Sequence, residues 1–274
     1  MVGEVSKAVK REGKFFCGKY MNNNEIDRDI LNKYARCMEE IKRRKQAIIS
    51  IIARTSTTLY PITNIEFCAL QLRKILELIV LANLVANRDE YSKVRNSFEK
   101  DWNISGIIKT LKDKVNNKFY PEPIIRVNQK YDSDGRCYTC EWKHKTDNFL
   151  TQEKLQEIYN YTSTFIHSKN PFNTEKEEDL KKIEGLFITT CNLITGLLNE
   201  HNCYLCNGNL INCTMSAIDP KDKNSQPKVS VWYFGKISEE EAKKSLTFNF
   251  YVYARGFFNR QSCEKGWEVF GGGS

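Results

Sequence analysis

The segment Thr63–Ala86 constrains this chain more than any other, because its apolar residues cover nearly the whole circumference of the helix they predict. Ile65, Phe67, Leu70, Leu72, Ile75, Leu76, Leu78, Ile79, Leu81 and Leu84 recur at helical spacing and leave almost no solvent face. A helix of this kind has to be wrapped by others, so the chain is predicted to build a bundle around it. It does not read as a membrane span. Its most apolar window, Ala69 to Val85, carries Arg73, Lys74 and Glu77, and charge at mid-bilayer is costly. Thr63 is the candidate N-cap, and Thr55–Thr58 followed by Pro61 ends the helix before it.

The wrapping helices are legible on either side. From Glu25 to Arg54 the residues Ile26, Ile30, Leu31, Tyr34, Met38, Ile41, Ile48, Ile49 and Ile52 follow helical spacing and predict one long amphipathic helix. Shorter helices are predicted at Glu90–Lys100, Ile104–Asn117 and Gln152–Ile166, and a last long one at Glu175–Glu200. Pro121 and Pro123 mark an extended crossing, and Tyr131–Gly135 a turn. After Glu200 the apolar period becomes two. Leu205 to Met215 form a candidate hairpin around Asn207-Gly208-Asn209, and Val229–Phe234 and Leu246–Tyr253 are candidate strands. The fold class expected is therefore α+β, an antiparallel helical bundle followed by a small antiparallel sheet. Residues 1–24 are a lead-in, 25–200 the bundle and 201–270 the β module. The closing Gly-Gly-Gly-Ser at 271–274 reads as a linker outside the fold.

Composition narrows the setting. The N-terminus is charged throughout and has no apolar signal core, and the ten cysteines are scattered rather than framed, so reduced thiols in the cytoplasm are expected. Cys137-x-x-Cys140, Cys203-x-x-Cys206 and Cys213 raise zinc. The second pair sits in a strand-like stretch where residues three apart face opposite ways, so isolated thiols are the reading and neither metal nor cofactor is expected. Net charge is +8, from 42 basic against 34 acidic residues, which favours acidic partners. Lys42, Arg43, Arg44, Lys45 and Lys169 are the candidate nucleic-acid contacts, with a plain solvated basic face as the alternative. Trp232, Tyr233, Tyr251 and Tyr253 on the last strands either stack bases or fill a sheet-to-helix interface. Phosphate-cradling glycine motifs and the H-E-x-x-H and G-x-S-x-G signatures are absent.

Two constellations carry candidate chemistry. Glu66, Arg73 and Glu77 share a stripe of the central helix, and such charges must be paired or face a cleft. Asn160, Ser163, Thr164 and His167 form a polar stripe ending the Gln152–Ile166 helix. His167 is either a structural cap or the best acid/base candidate. His144 reads as a loop residue, and His201 as a residue leading into a strand.

The runs Ile65-Glu66-Phe67…Leu72-Arg73-Lys74-Ile75-Leu76-Glu77 and Ile166-His167-Ser168-Lys169-Asn170-Pro171-Phe172 resemble uncharacterised bacterial proteins with a HEPN-superfamily core. The resemblance spans about residues 25–200. It implies a helical bundle and an RNA-directed role in bacterial antiviral defence or toxin–antitoxin systems, where active members are metal-independent ribonucleases. Those members place an Arg shortly before the catalytic His, and here Asn160, Tyr161 and Thr162 hold those positions. The resemblance then implies His167 as acid or base, Arg73 as a substitute phosphate clamp, and Glu66, Glu77 and Asn160 as orienting groups. Two functions stay open: an RNA-directed factor of this kind, or a non-catalytic assembly subunit that meets a partner protein through its C-terminal sheet.

Overall fold

The all-round apolar helix is the axis of the bundle. The computed structural model describes residues 28–96, 98–101, 103–131, 133, 137–168, 172, 179–206, 208–217 and 228–234, with the backbone alone at 98, 137–140 and 217. Around α2 (Pro61–Ala86) pack α1 (Arg28–Ile52), α5 (Gln152–Ile166) and α6 (Leu180–Leu198), together with the short α3 (Arg88–Val94) and α4 (Ile104–Thr110). Leu72, Ile75, Leu76 and Ile79 of α2 are fully buried, in one core with Tyr34, Met38 and Ile48 of α1, Leu155 of α5 and Phe187 of α6. Each such side chain contributes about 1.5–3 kcal/mol of burial. The wrapping is incomplete along one stripe, where Ile62, Glu66, Leu70 and Lys74 are exposed at spacing four.

Helix ends depart from expectation in instructive ways. Pro61, expected to break the first helix, opens the second at its first position, where a missing N–H costs nothing. Thr63 is not the N-cap; its hydroxyl donates to the carbonyls of Thr58 and Tyr60. The loop is held instead by Asn64, whose Oδ1 accepts from the Thr58 N–H at 2.8 Å. α6 starts at Leu180 because Asp179 is extended and its carboxylate accepts from the Lys181 N–H. Glu90–Lys100 is not one helix: α3 ends at Val94 and a 3-10 turn follows at Phe98–Lys100. α4 passes into a single π turn at Leu111–Val115.

Among the described residues five strands pair antiparallel, in the order β2-β1-β3-β4-β5. β4 (Leu210–Ala217) and β5 (Lys228–Phe234) fall where period-two spacing placed them, whereas β3 (Glu200–Tyr204) ends one residue before Leu205, where the hairpin was expected to begin. β1 (Glu122–Tyr131) and β2 (Cys137–His144) come from the stretch read as a crossing and a turn. Polar residues on both faces of β1 (Arg126, Gln129, Lys130) hide its alternation. The expected strand Leu246–Tyr253, with Tyr251 and Tyr253, the 1–24 lead-in, Lys169 and the terminal linker lie outside the described residues.

One face of the sheet, with His201, Cys203, Ile211, Cys213 and Val231, is buried against the bundle. The alternate residues face away in cross-strand rows. Glu200, Thr214 and Ser230 form one row, Glu122, Asn202, Asn212 and Trp232 the next, and Tyr204, Leu210 and Phe234 the third. This second face is strongly curled. Trp142 on edge strand β2 and Phe234 on edge strand β5 meet with ring centroids 5.5 Å apart. In a flat sheet their strands would be about 19 Å apart, at ~4.8 Å per strand. The curl is possible because β1 pairs with β3 only at Glu122 and Pro123, which frees the β1–β2 hairpin to fold across.

Candidate functional site

Arg73 leaves α2 halfway along and reaches α5. Its Nη1 donates to Ser163 Oγ at 2.7 Å and to the Tyr159 carbonyl at 3.4 Å, Nη2 donates to the Tyr159 hydroxyl, and Nε lies 3.5 Å from Glu77 Oε1. The guanidinium also sits 3.8 Å from the centroid of the Tyr159 ring. Burial is the main reason the Tyr159 phenol is held above its usual range. The structure thus brings Arg73, Glu77 and Ser163 together, as a latch between α2 and α5.

The other members of the expected site do not join them. Glu66 and Asn160 are exposed. His167 is the C-cap of α5, with extended backbone (φ −101°, ψ 140°), and is exposed one turn beyond Ser163. No hydrogen bond links it to Arg73 among the described residues. The basic run is dispersed around α1, as four consecutive helical residues must be. Arg44 binds Glu40 and Gln71, Lys42 lies near Glu39, and Lys45 donates to Thr195 Oγ1 at 2.8 Å; Arg43 is exposed. Burial lowers the Lys45 pKa, which suits a lysine turned toward α6 rather than toward phosphate.

The histidine that the sequence made least of is the most deeply placed. His201 Nδ1 is 3.0 Å from the Leu198 carbonyl, which can only accept, so Nδ1 carries the proton. Nε2 then accepts from the Tyr34 hydroxyl at 2.7 Å. Both side chains are fully buried, and burial pushes the imidazole pKa down to about 4. This pair ties α1, α6 and β3 together.

The two CxxC pairs are set apart by register. Cys140 lies on β2 between Thr139 and Glu141, opposite Lys130 and Val127, whereas Cys203 lies one residue past Asn202, which faces Glu122. Along the strand direction that is roughly 20 Å, against a zinc–sulfur bond of about 2.3 Å. Cys203 Sγ instead lies against Asn83 Oδ1 and Cys206 Sγ against the Val115 carbonyl, and burial pushes the Cys203 thiol up to about 12. Among the described residues no cluster of three or more His, Cys, Asp or Glu could hold a metal ion.

The outward face of the sheet carries the densest polar chemistry. Arg126 pairs with Glu200 and donates to Thr214 Oγ1 at 3.1 Å. Burial raises the Glu200 pKa, against the pull of Arg126. His144 Nδ1 lies 2.7 Å from Glu122 Oε1. Asn212 Nδ2 donates to Asn202 Oδ1 at 2.9 Å, and these two amides are 1% and 2% exposed on the face that points away from the bundle. A neighbouring open groove of about 600 Å³ runs between α6 and the loop after β2, lined by Lys145, Asn148, Thr189, Asn192 and Asn199. No family model, curated protein or solved structure matches the chain. The polar sheet face was missed because its strands β1 and β2 were missed. A signal did exist: Asn202-Cys203 and Asn212-Cys213 repeat one dipeptide ten residues apart across a hairpin, so that both amides share one face and both thiols the other.

Proposed function

We propose that the protein is a non-catalytic binding subunit, in which the helical bundle is a scaffold and the sheet carries the contact surface. The observation behind this reading is the engagement of Arg73. A phosphate clamp has to present free N–H groups to the substrate beside the acid or base, since stabilising developing charge depends on donors aimed at it. Arg73 spends its donors on Ser163, Tyr159 and Glu77, and His167 stands exposed beyond them without a hydrogen bond to it. Removing Arg73 would therefore loosen α2 from α5 and expose no catalytic deficit. In the HEPN-like alternative, the same substitution would abolish RNA cleavage.

The test is a ribonuclease assay on purified protein with single-stranded and hairpin RNA. The expected result is no cleavage above that of the His167→Ala protein. Cleavage that disappears in His167→Ala at an unchanged melting temperature would replace this reading with the ribonuclease one.

A further inference from the structure

We propose that the open stripe of α2 is the interface of a two-fold dimer, in which the α2 helices of two copies run antiparallel and meet at Leu70. The surface belongs to the bundle, so the inference goes beyond the reading of the sheet as the contact surface and stands or falls apart from it.

The stripe is open and apolar at intervals. α1, α5 and α6 wrap the rest of α2, yet Ile62 and Leu70 are 40% and 39% exposed. Beyond Lys74 the same side of the helix continues with the half-buried Leu78 and Leu81. At the other end the loop before α2 extends the apolar run. Leu59 is 92% exposed and Tyr60 54%, and Leu59 is held at φ 99°, a region leucine rarely adopts. The loop is fixed there by hydrogen bonds, the Leu59 N–H donating to Thr57 Oγ1 and the Thr58 N–H to Asn64 Oδ1. A strained residue that also turns an apolar side chain to water is unfavourable on both counts, and covering that side chain offsets part of it.

The charges select a second copy as the occupant. Glu66 lies one turn before Leu70 and Lys74 one turn after it; both are exposed, and neither has an ion-pair partner among the described residues. A row that reads acid, apolar, base is complementary to itself reversed. With Leu70 against Leu70 in antiparallel helices, Glu66 of each copy meets Lys74 of the other, and Ile62 meets Leu78. A two-fold interface has this property, since the same patch serves both sides. Parallel helices would instead set Glu66 against Glu66 and Lys74 against Lys74. An acidic partner would leave Glu66 opposed by like charge, and a basic partner Lys74. Rows at spacing four are also the ridges along which helices most often pack. One helix pair and its loops cover less than the roughly 800 Å² per partner of a standard interface, so the dimer is weak and forms with rising concentration.

The experiment is sedimentation velocity of the full chain over a wide range of concentration, with charge-reversed variants. The unsubstituted chain should pass from monomer to dimer as concentration rises. Glu66→Lys sets lysine against lysine and Lys74→Glu sets glutamate against glutamate, so each alone should weaken the dimer roughly tenfold or more. An equimolar mixture of the two should dimerise again, because both contacts then join opposite charges. The doubly reversed chain should dimerise like the unsubstituted one, which keeps the test valid if a single variant has a lowered melting temperature. A monomer at every concentration would overturn the proposal, whether a different protein or another segment of this chain covers the stripe. A dimer indifferent to both reversals would overturn α2 as its interface, and single variants that stay apart when mixed would overturn the antiparallel register. None of these outcomes bears on cleavage or on the sheet, so the ribonuclease assay fails or succeeds separately.

Discussion

Acidification should destabilise this protein through one histidine, well above the pH at which ordinary carboxylates titrate. His201 is fully buried as the neutral Nδ1–H tautomer, and burial brings its pKa from 6.5 to about 4. Above pH 6.5 both the folded and the unfolded chain hold it neutral, and the stability is at its full value. As pH falls from 6.5 towards 4, the unfolded chain takes up a proton that the folded chain refuses, so stability is lost with falling pH. The full gap corresponds to roughly 3.4 kcal/mol at about 1.36 kcal/mol per pH unit, and about 2 kcal/mol of it is spent between pH 7.5 and 5.0. That is a large part of the ~5–15 kcal/mol that holds a typical domain together. Urea titrations across that range, on the full chain and on His201→Gln, measure it. Gln keeps an acceptor for Tyr34 and loses the donor to Leu198, so the variant should be less stable at pH 7.5 by about 1–3 kcal/mol, with a flatter pH curve. The two curves then converge on acidification. Parallel curves, or an NMR titration of His201 near 6.5, would refute the argument.

Three further outcomes follow from the geometry. Arg73→Ala should lower stability by about 1–3 kcal/mol through loss of the charged hydrogen bonds and the Tyr159 ring contact, while Arg73→Lys, lacking the planar fork, recovers less than half; the urea midpoint at constant slope reads both. A Cβ on Gly196 would meet the Asn148 carbonyl oxygen at 1.9 Å, so Gly196→Ala must displace the loop after β2 or bend α6, at a cost of about 1–3 kcal/mol in the same titration. A strong chelator should leave the urea midpoint where it was, since register holds the two CxxC pairs apart; a drop in the midpoint, with zinc recovered in the dialysate, would contradict this.

The helices were the legible part of this chain, because burial imposes a period that survives in the sequence. The α2 axis and the Gln152–Ile166 helix could be placed from apolar spacing, with Thr151 capping α5 by accepting from the Lys154 N–H. Strands β4 and β5 were legible for the same reason, each having one face against the bundle, while β3 lies just before the Leu205 start expected for the hairpin. β1 was not, since Arg126, Gln129 and Lys130 put polar residues at both alternating sets of positions; β2 does alternate, Tyr138, Cys140 and Trp142 against Thr139, Glu141 and Lys143, and was passed over beside the expected Tyr131–Gly135 turn.

The sequence by itself determined which side chains must be buried and that charges on α2 needed partners. Only the tertiary structure decided which partners. Arg73 found Ser163 and Tyr159 of α5 rather than His167, and His201, unremarkable in the linear chain, became the buried hinge of three elements. The physical reason is that periodicity reports on solvent, which acts on every residue alike. A hydrogen bond reports on one atom of one distant neighbour, and that neighbour is chosen by helix crossing and strand register, which the linear chain does not display.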